Sequence, residues 1–313
     1  MAGLWTVPDI QKGVAYARKL HARGGGAILN ILGEHHETVD LVNRDFRKYV
    51  DLIDAMGREK TRGLNAAISI KPTQFGFDLK NFSEDERKRI TKNNMWTIVF
   101  YAARKGIPIE FDMEHSGTHD FTISLFKAFS QKLNEMGKGG MLGMALQANY
   151  ERTQDDLKHL LSLDSKTYGK LKIRLVKGVY TAPKDPLAKP GSWALENYKR
   201  LMRTVADVPT THRVVLGTHR EDMILLQKEL GLSEKEIQVL KGIRGLFAKG
   251  LSKRGYSVWA YVPIGSRNEA AAYASRRLKK GMKLLGATAR DWLWRPFELS
   301  SGKWLDKKRS AGS

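Results

Sequence analysis

The sequence contains no cysteine, which excludes disulfide bonds, thiolate ligands to metals and cysteine nucleophiles. It also lacks any apolar run that approaches the roughly 20 residues of a transmembrane helix. The first residues do not form a basic region followed by an apolar run, so they do not resemble a secretory signal. We therefore expect a soluble protein, and the lack of cysteine is consistent with a cytoplasmic location.

Several common catalytic signatures are missing as well. The chain has no serine-containing nucleophile elbow, no Walker loop and no dinucleotide fingerprint. The triplet Gly24-Gly25-Gly26 is not followed by the Lys-Ser/Thr pair of a phosphate loop, and a predicted strand rather than a helix comes next. We interpret the triplet as a flexible connector.

Acidic residues are few relative to basic ones. The chain has 33 Asp and Glu against 54 Lys and Arg, which gives a formal charge of +21. A surface of this kind attracts polyanions, either nucleic acid or an anionic membrane. A basic nucleic-acid-binding protein on a catalytically degenerate barrel is therefore one hypothesis. No interleaved basic–aromatic motif or known module favours specific nucleic-acid binding, however.

Present in the sequence is a regular alternation of strand and helix patterns. A leading amphipathic helix is predicted over 8–22, and eight short apolar segments follow, each with a helical pattern after it. Ser83-Glu84-Asp85-Glu86 has the pattern of a capping box at the start of one of these helices. The predicted strands cover residues 27–32, 66–70, 107–111, 141–146, 170–176, 213–216, 237–240 and 257–262, and the last helix covers 268–285.

Eight strand–helix units at a spacing that fits parallel crossovers predict an α/β fold, a (β/α)₈ barrel of the TIM type. An open doubly wound sheet is the alternative, but eight regular units favour closure. We expect an N-terminal helix and linker over residues 1–26, a catalytic barrel over 27–290 and a C-terminal tail over 291–313.

In such a barrel, catalytic residues lie at the carboxyl ends of the strands. The fifth strand ends in the stretch from Arg174 to Tyr180, which contains two cations, Arg174 and Lys177. Two cations at the end of a buried strand are unfavourable unless they face an anion or a polar ligand. The alternative is that their aliphatic stems carry both charges to water. Polar or aromatic residues end the other strands too, and the full set is Gly33-Glu34, Lys71, Asp112, Gln147, Arg174 with Lys177, Thr218-His219, Gln238 to Leu240, and Tyr261. Their recurrence predicts a binding site at one mouth of the barrel.

Two groups of histidines raise the question of a metal site. His115 and His119 are four residues apart, and His35-His36 follows the end of the first strand. Histidines with this spacing on a helix can bind zinc. Ser116-Gly117-Thr118 between the first pair indicates a loop, and the glutamate of a zincin motif is missing. We therefore predict no metal.

The segments at the strand ends resemble the signature segments of proline dehydrogenase, in the order of that family and over roughly residues 27 to 285. The matching segments are Ile68-Ser69-Ile70-Lys71, Phe111-Asp112-Met113-Glu114, Leu146-Gln147-Ala148, Arg174-Leu175-Val176-Lys177-Gly178-Val179-Tyr180, Gly217-Thr218-His219, Gln238-Val239-Leu240-Lys241-Gly242-Ile243, Tyr261-Val262-Pro263-Ile264-Gly265 and Tyr273-Ala274-Ser275-Arg276-Arg277-Leu278. No single segment is decisive, but the joint match is specific.

The resemblance implies a flavoprotein barrel that binds FAD and transfers a hydride from a substrate ring carbon to the flavin. It implies that the isoalloxazine contacts Gln147, Arg174 and the backbone of Val176, and that the rest of FAD contacts Lys177, Gly178, Thr218 and His219. It further implies a substrate pocket formed by Lys71, Asp112, Leu240, Tyr261, Arg276 and Arg277, and catalytic roles for Lys71, Asp112, Arg174, Tyr261, Arg276 and Arg277.

The implied reaction also determines the expected partners. Arg276 and Arg277 are adjacent on one helix, about 100° apart around its axis, so together they can hold one small carboxylate. We expect L-proline as the first substrate and hydroxyproline as the second. The resemblance implies a quinone as electron acceptor, and the charge of +21 with the basic tail segment 304–309 suggests binding at an anionic membrane surface.

Overall fold

The computed structural model describes residues 2–60, 63–180 and 183–280, with the backbone alone at 2–3 and 276–280. Its centre is a closed barrel of eight parallel strands in the order of the sequence, and the last strand pairs with the first. The barrel prediction is confirmed, and the open doubly wound alternative is wrong. The strands are β1 Gly26–Ile31, β2 Ala66–Ile70, β3 Ile109–Phe111, β4 Leu142–Gln147, β5 Lys172–Val176, β6 Arg213–Gly217, β7 Glu236–Leu240 and β8 Ser257–Ile264.

Helices follow the strands and cover the outside of the barrel. The helices are α1 Ala2–Trp5, α2 Ile10–His21, α3 Val39–Lys60, α4 Glu84–Arg104, α5 His119–Glu135, α6 Thr153–Leu161, α7 Ser165–Tyr168, α8 Gly191–Asp207, α9 Glu221–Glu229, α10 Gly245–Lys253 and α11 Arg267–Lys280. The predicted capping box is confirmed, because the Ser83 hydroxyl accepts from Glu86 N–H while the Glu86 carboxylate accepts from Ser83 N–H. Sequence periodicity missed the two four-residue helices, α1 and α7, since neither is long enough to show a repeat.

The third strand begins two residues later than predicted. Ile107 N–H donates to Ala102 O and so closes the end of α4 instead of joining the sheet. Pro108 has no N–H to contribute, although its carbonyl accepts from Ile68. The strand therefore begins at Ile109, where the N–H again donates into the barrel, to Met141 O.

Two of the three glycines, Gly25 and Gly26, are tightly packed, so the interpretation of the triplet as a flexible connector is wrong, although Gly24 is exposed. Gly26 is the first residue of β1, and a Cβ there would lie 2.5 Å from the ring of Trp259. A Cβ on Gly25 would lie 2.6 Å from the carbonyl oxygen of Val258. Glycine is needed here because the chain enters the barrel against the backbone and indole of β8. The N-terminal segment is also attached, since Val7 bridges to Ile264.

The apolar core lies mainly between the barrel and its helices, and the barrel interior is largely polar on one side. The interior wall at β1, β2 and β8 carries Ile28, Ala67 and Trp259, which form an apolar cluster with Tyr261. Strands β3, β5 and β7 are not neighbours, yet their side chains are hydrogen-bonded to one another, and such contacts can only cross the interior. Among the described residues, no helix is long and apolar enough to cross a bilayer.

Candidate active site

Arg174 on β5 is the centre of the polar side of the barrel. Its Nη1 donates to Glu110 Oε2 at 2.9 Å and to Gln238 Oε1 at 3.0 Å, and its Nη2 donates to Asp112 Oδ1 at 2.5 Å. The residue is only 7% exposed, and its Nε has no hydrogen-bond partner in the part of the chain that the structure describes. Burial lowers the pKa of Arg174, but the charges of Glu110 and Asp112 outweigh it and raise the pKa, so the guanidinium is always cationic. A buried polar cation with one unused N–H can bind an acceptor on a ligand.

Asp112 joins Arg174 to the aromatic wall of β8. The hydroxyl of Tyr261 donates to Asp112 Oδ2 at 2.5 Å, and the Arg174 guanidinium lies 5.8 Å from the centre of the Tyr261 ring. Burial alone raises the pKa of Asp112, but the nearby cations Arg174 and Lys71 outweigh it and lower the pKa. Burial and the Asp112 charge raise the pKa of Tyr261, so its phenol keeps its proton. The structure thus brings together four predicted site residues: Lys71, Asp112, Arg174 and Tyr261.

Below this group, a second layer of charges continues through the barrel, and sequence reasoning missed it. Lys172 Nζ lies 2.8 Å from Glu110 Oε1 and 2.5 Å from Glu236 Oε1. Glu236 Oε2 in turn lies 3.0 Å from Arg213 Nη2, near the amino end of the barrel. Gln238 Nε2 donates to both Glu110 and Glu236, at 2.7 and 2.9 Å. These charged residues lie two positions before predicted strand-end residues: Glu110 before Asp112, Lys172 before Arg174 and Glu236 before Gln238. A spacing of two puts side chains on the same face of a strand, and this signal could have identified them.

Lys71 follows β2 and is half-buried beside two carboxylates, Asp112 and Glu114, whose pKa values its charge lowers. Both oxygens of Glu114 are hydrogen-bonded to Thr73, one to the backbone N–H at 3.0 Å and one to the hydroxyl at 2.7 Å. Burial nevertheless raises the pKa of Glu114 to about 7. Glu114 is a further residue that sequence reasoning did not assign to the site.

Gln147, at the end of β4, is committed to the protein backbone. Its Nε2 donates to the carbonyls of Met113 and Glu114 at 3.0 and 2.7 Å, and Val179 N–H donates to its Oε1 at 3.4 Å. The side chain therefore connects the ends of β3, β4 and β5. In this arrangement Gln147 sets the shape of the mouth.

The chain after β5 turns sharply at Gly178, which has φ +92. A Cβ at Gly178 would lie 1.9 Å from Asn149 Oδ1, so both the conformation and the contact require glycine. Val176 is half-buried and in register with Gln147 and Gly217 on the neighbouring strands. Lys177 is exposed, so its charge extends from the mouth into solvent. Arg174 therefore lies inside the barrel, whereas Lys177 lies outside it.

Thr218 and His219 follow β6 and lie against the end of β7. Thr218 N–H donates to Gln238 O at 3.0 Å. Leu240 N–H donates to His219 Nε2 at 2.9 Å, so this ring nitrogen is an acceptor. Leu240 is in register with Tyr261, which places it on the same rim as the group around Arg174. Arg276 and Arg277 lie on α11, but their side chains are outside the described residues, as is the predicted tail.

Under the end of β1, a buried network fixes the first two loops. Asp45 Oδ2 accepts from Gln74 at 2.9 Å and lies 2.7 Å from His36 Nε2, while its Oδ1 accepts from Arg44 at 2.9 Å. Burial raises the pKa of Asp45, but these hydrogen bonds outweigh it and lower the pKa to about 2. A Cβ on Gly33 would lie 2.1 Å from the Asp45 carboxylate, so the chain passes directly over the network.

The histidines are arranged differently from the pairing considered in the sequence. His119 is buried and lies 2.8 Å from Asp156, whereas His115 stacks on His35 with ring centres 5.7 Å apart. Donor atoms of His35, Asp78 and His115 lie within 4.8 Å of one another, a set that could take a divalent cation. His35 Nδ1 is already hydrogen-bonded to Asp78 at 2.6 Å, and His115 Nδ1 accepts from Gly117 N–H. Nδ1 of each histidine in the cluster is thus hydrogen-bonded to a protein group.

Comparisons with known proteins agree on one family. The model of the family described as Proline dehydrogenase matches residues 14–283. Proline dehydrogenase 2 of Bacillus subtilis (strain 168) is 27% identical over 276 residues, which are 86% of this chain and 82% of that protein. Proline dehydrogenase 1 of the same strain is 25% identical over 264 residues, with 82% and 79% covered.

A solved structure supports the fold. The crystal structure of proline utilization A (PutA) from Bdellovibrio bacteriovorus, inactivated by N-propargylglycine, superposes with a TM-score of 0.80 at 19% identity. The match covers 96% of this chain and 34% of that protein, so the chain spans about a third of its length.

Proposed function

Because the chain belongs to the proline dehydrogenase family and is thus an oxidoreductase that acts on proline, we propose that it oxidises L-proline to 1-pyrroline-5-carboxylate with FAD as cofactor. The observation that carries the proposal is the group at the mouth of the barrel, where the buried Arg174 cation is held by Asp112 and Glu110. A permanent positive charge at this position favours a ligand that becomes more negative during the reaction.

Two features of the chain fit a flavin. The buried Nε of Arg174 has no partner among the described residues, and the acceptor atoms of an isoalloxazine would satisfy it. Lys177, next to the turn at Gly178, is exposed at the mouth and offers a positive charge to the phosphates of FAD. Arg174 and the Val176 backbone would contact the isoalloxazine, and Gln147, whose amide N–H groups are donated to backbone carbonyls, would shape the isoalloxazine site. Lys177, Gly178, Thr218 and His219 would hold the ribityl, phosphate and adenine parts. When bound, FAD supplies the two-electron acceptor for the hydride that leaves the substrate.

The residues of the chain contribute electrostatics and orientation. Arg174 keeps its charge because Glu110 and Asp112 raise its pKa, so it stabilises negative charge at any pH at which the protein is folded. The Tyr261 hydroxyl keeps its proton and donates it in a hydrogen bond to Asp112. We therefore assign Tyr261 to orienting and enclosing the substrate rather than to acid–base catalysis. Lys71, Asp112, Leu240 and Tyr261 would line a pocket sized for a small ring.

Arg276 and Arg277 would complete that pocket by binding the substrate carboxylate. A guanidinium offers a planar pair of donors that matches a carboxylate, and two of them can hold it from two directions. Proline and pyrrolidine share the ring, but pyrrolidine has no carboxylate. We expect proline to reduce the enzyme far more efficiently than pyrrolidine does.

The test is anaerobic mixing of the purified protein, expressed with FAD supplied, with proline, hydroxyproline or pyrrolidine. Bleaching of the flavin absorbance by proline is the expected result. Folded protein without flavin absorbance would contradict the cofactor. Equal efficiency with proline and pyrrolidine would contradict the substrate clamp.

The electrons must then leave the reduced enzyme, and we propose a quinone as acceptor and an anionic membrane as the place of transfer. The support is the charge of +21, since each well-placed cation adds about 1 kcal/mol of attraction to anionic lipid. Sedimentation with anionic and neutral vesicles, at low and high salt, tests this step. Binding to anionic vesicles that salt reverses is expected, and no binding at low salt would remove the proposal.

A further inference from the structure

Arg174 has two carboxylate partners, and they differ in their surroundings. Asp112 follows β3 at the mouth and is shared with the hydroxyl of Tyr261. Glu110 lies within β3, one layer deeper, and is 1% exposed. Its Oε2 is hydrogen-bonded to Arg174, while its Oε1 accepts from Gln238 and Lys172. Glu110 is thus too deep to be reached by a ligand that binds above Arg174.

We propose that Glu110 is a positioning residue for the reaction: it fixes the plane of the Arg174 guanidinium, so that Nε is presented to the ligand at the mouth. This role rests on the proposed function, in which Arg174 stabilises the reduced flavin. Glu110 touches neither substrate nor cofactor and acts only through Arg174.

The geometry explains why a second anchor is needed. A guanidinium is planar, and one carboxylate on Nη2 leaves the group free to swing about that contact. Glu110 on β3 and Gln238 on β7 hold Nη1, at 2.9 and 3.0 Å, so the guanidinium is fixed at Nη1 as well as at Nη2. Glu110 is itself fixed, since Gln238 and Lys172 hold its other oxygen at 2.7 and 2.8 Å.

Positioning and simple charge predict opposite signs for one measurable quantity. If Glu110 acts only through its negative charge, Glu110→Gln makes the mouth more positive and raises the reduction potential of bound flavin. If Glu110 positions Arg174, the same change misdirects the guanidinium, weakens stabilisation of the reduced flavin and lowers the potential. The sign of the shift therefore separates the two roles.

Glu236→Gln is a matched control. Glu236 is also buried, contacts the same Lys172 and receives a hydrogen bond from the same Gln238, yet among the described residues it makes no polar contact with Arg174. Both variants exchange a carboxylate for an amide of the same shape. In the holoenzyme we expect Glu110→Gln to lower the potential and slow flavin reduction by proline at least tenfold, and Glu236→Gln to change the rate less than threefold.

A second readout does not require flavin. The Nε–H of Arg174, identified by its loss in Arg174→Lys, should give a slowly exchanging NMR signal in the full chain without FAD, because the atom is buried. We expect exchange at least tenfold faster in Glu110→Gln and nearly unchanged in Glu236→Gln. If the protein binds no flavin, the proposed function fails, but this readout still tests the positioning of Arg174.

The outcomes are distinct. A lowered potential and faster exchange in Glu110→Gln alone support the proposal. A raised potential, or equal effects of Glu110→Gln and Glu236→Gln, overturns it. If Glu110→Gln does not fold, Glu110→Asp keeps the charge and shortens the side chain, and it must show the same directions of change for the proposal to stand.

Discussion

Replacement of Arg174 by methionine is the most informative single change, because Arg174 is the cation between two buried carboxylates. Glu110 is 1% exposed and Asp112 is part-buried. In Arg174→Met both carboxylates lose the arginine that they contact. Removal of one partner from a buried ion pair typically costs about 3–5 kcal/mol. Lys172 still compensates Glu110, and Tyr261 still bonds Asp112, so we expect a loss of about 3 kcal/mol at pH 7, at the lower end of that range.

The loss should depend on pH with a definite sign. In the wild type, cations outweigh burial and lower the pKa of both carboxyls, so their contribution to stability is present above the ordinary carboxyl pKa and is lost as pH falls through the lowered values. In Arg174→Met the pKa of each should rise, because burial remains and the nearest cation is gone. As the pH falls, protonation removes the buried negative charges of the variant, while the wild type loses stability. The difference in free energy of unfolding between the two proteins should therefore narrow from pH 7 to pH 4.

The assay is thermal and urea unfolding without added FAD, so that ligand binding does not enter the stability. A loss of about 3 kcal/mol corresponds to a melting temperature about 6–12 °C lower in a domain of this size class. Arg213→Met is the control, since that guanidinium is 40% exposed and should contribute less than about 1 kcal/mol. A loss at Arg174 below about 1 kcal/mol, or one that is equal at pH 7 and pH 4, would refute the electrostatic account.

Three further changes test other parts of the molecule. Gly178→Ala should lower the free energy of unfolding by more than about 1–3 kcal/mol, because it adds a clash with Asn149 to the strain of a positive φ. Gly255 has φ +80 with open space around it, so Gly255→Ala should cost only the strain, and the melting temperatures of the two variants make the comparison. Asp45→Asn should lose about 2 kcal/mol at pH 7, since a pKa lowered from 3.8 to about 2 stabilises the fold above pH 4, and urea unfolding should show the difference shrinking between about pH 4 and pH 2. Arg277→Met should weaken proline binding by about 2–5 kcal/mol, seen as a higher Michaelis constant at unchanged flavin content, and an unchanged constant would exclude the carboxylate clamp.

The architecture was accessible from the sequence because local patterns determine it. Apolar runs of strand length alternate with helical periodicity eight times, and short connections leave few topologies other than a closed parallel barrel. The same local patterns determine where the strands end, so the sequence alone predicts that Lys71, Asp112, Arg174 and Tyr261 lie at the mouth of the barrel. The capping box at Ser83 is local as well, since its partners are three residues apart.

Only the tertiary structure decided what lies between those strand ends. Gln238 and Glu110 are 128 positions apart and meet because closure of the barrel brings β3, β5 and β7 to face one another across its interior. A period of two shows that Glu110 and Asp112 share a face, but it does not show that Lys172 and Arg174 lie opposite them. The packing of Gly26 against Trp259 is a contact of the same kind, between the first strand and the last. Local sequence specifies which side chain a position offers, and the closed barrel specifies what that side chain meets.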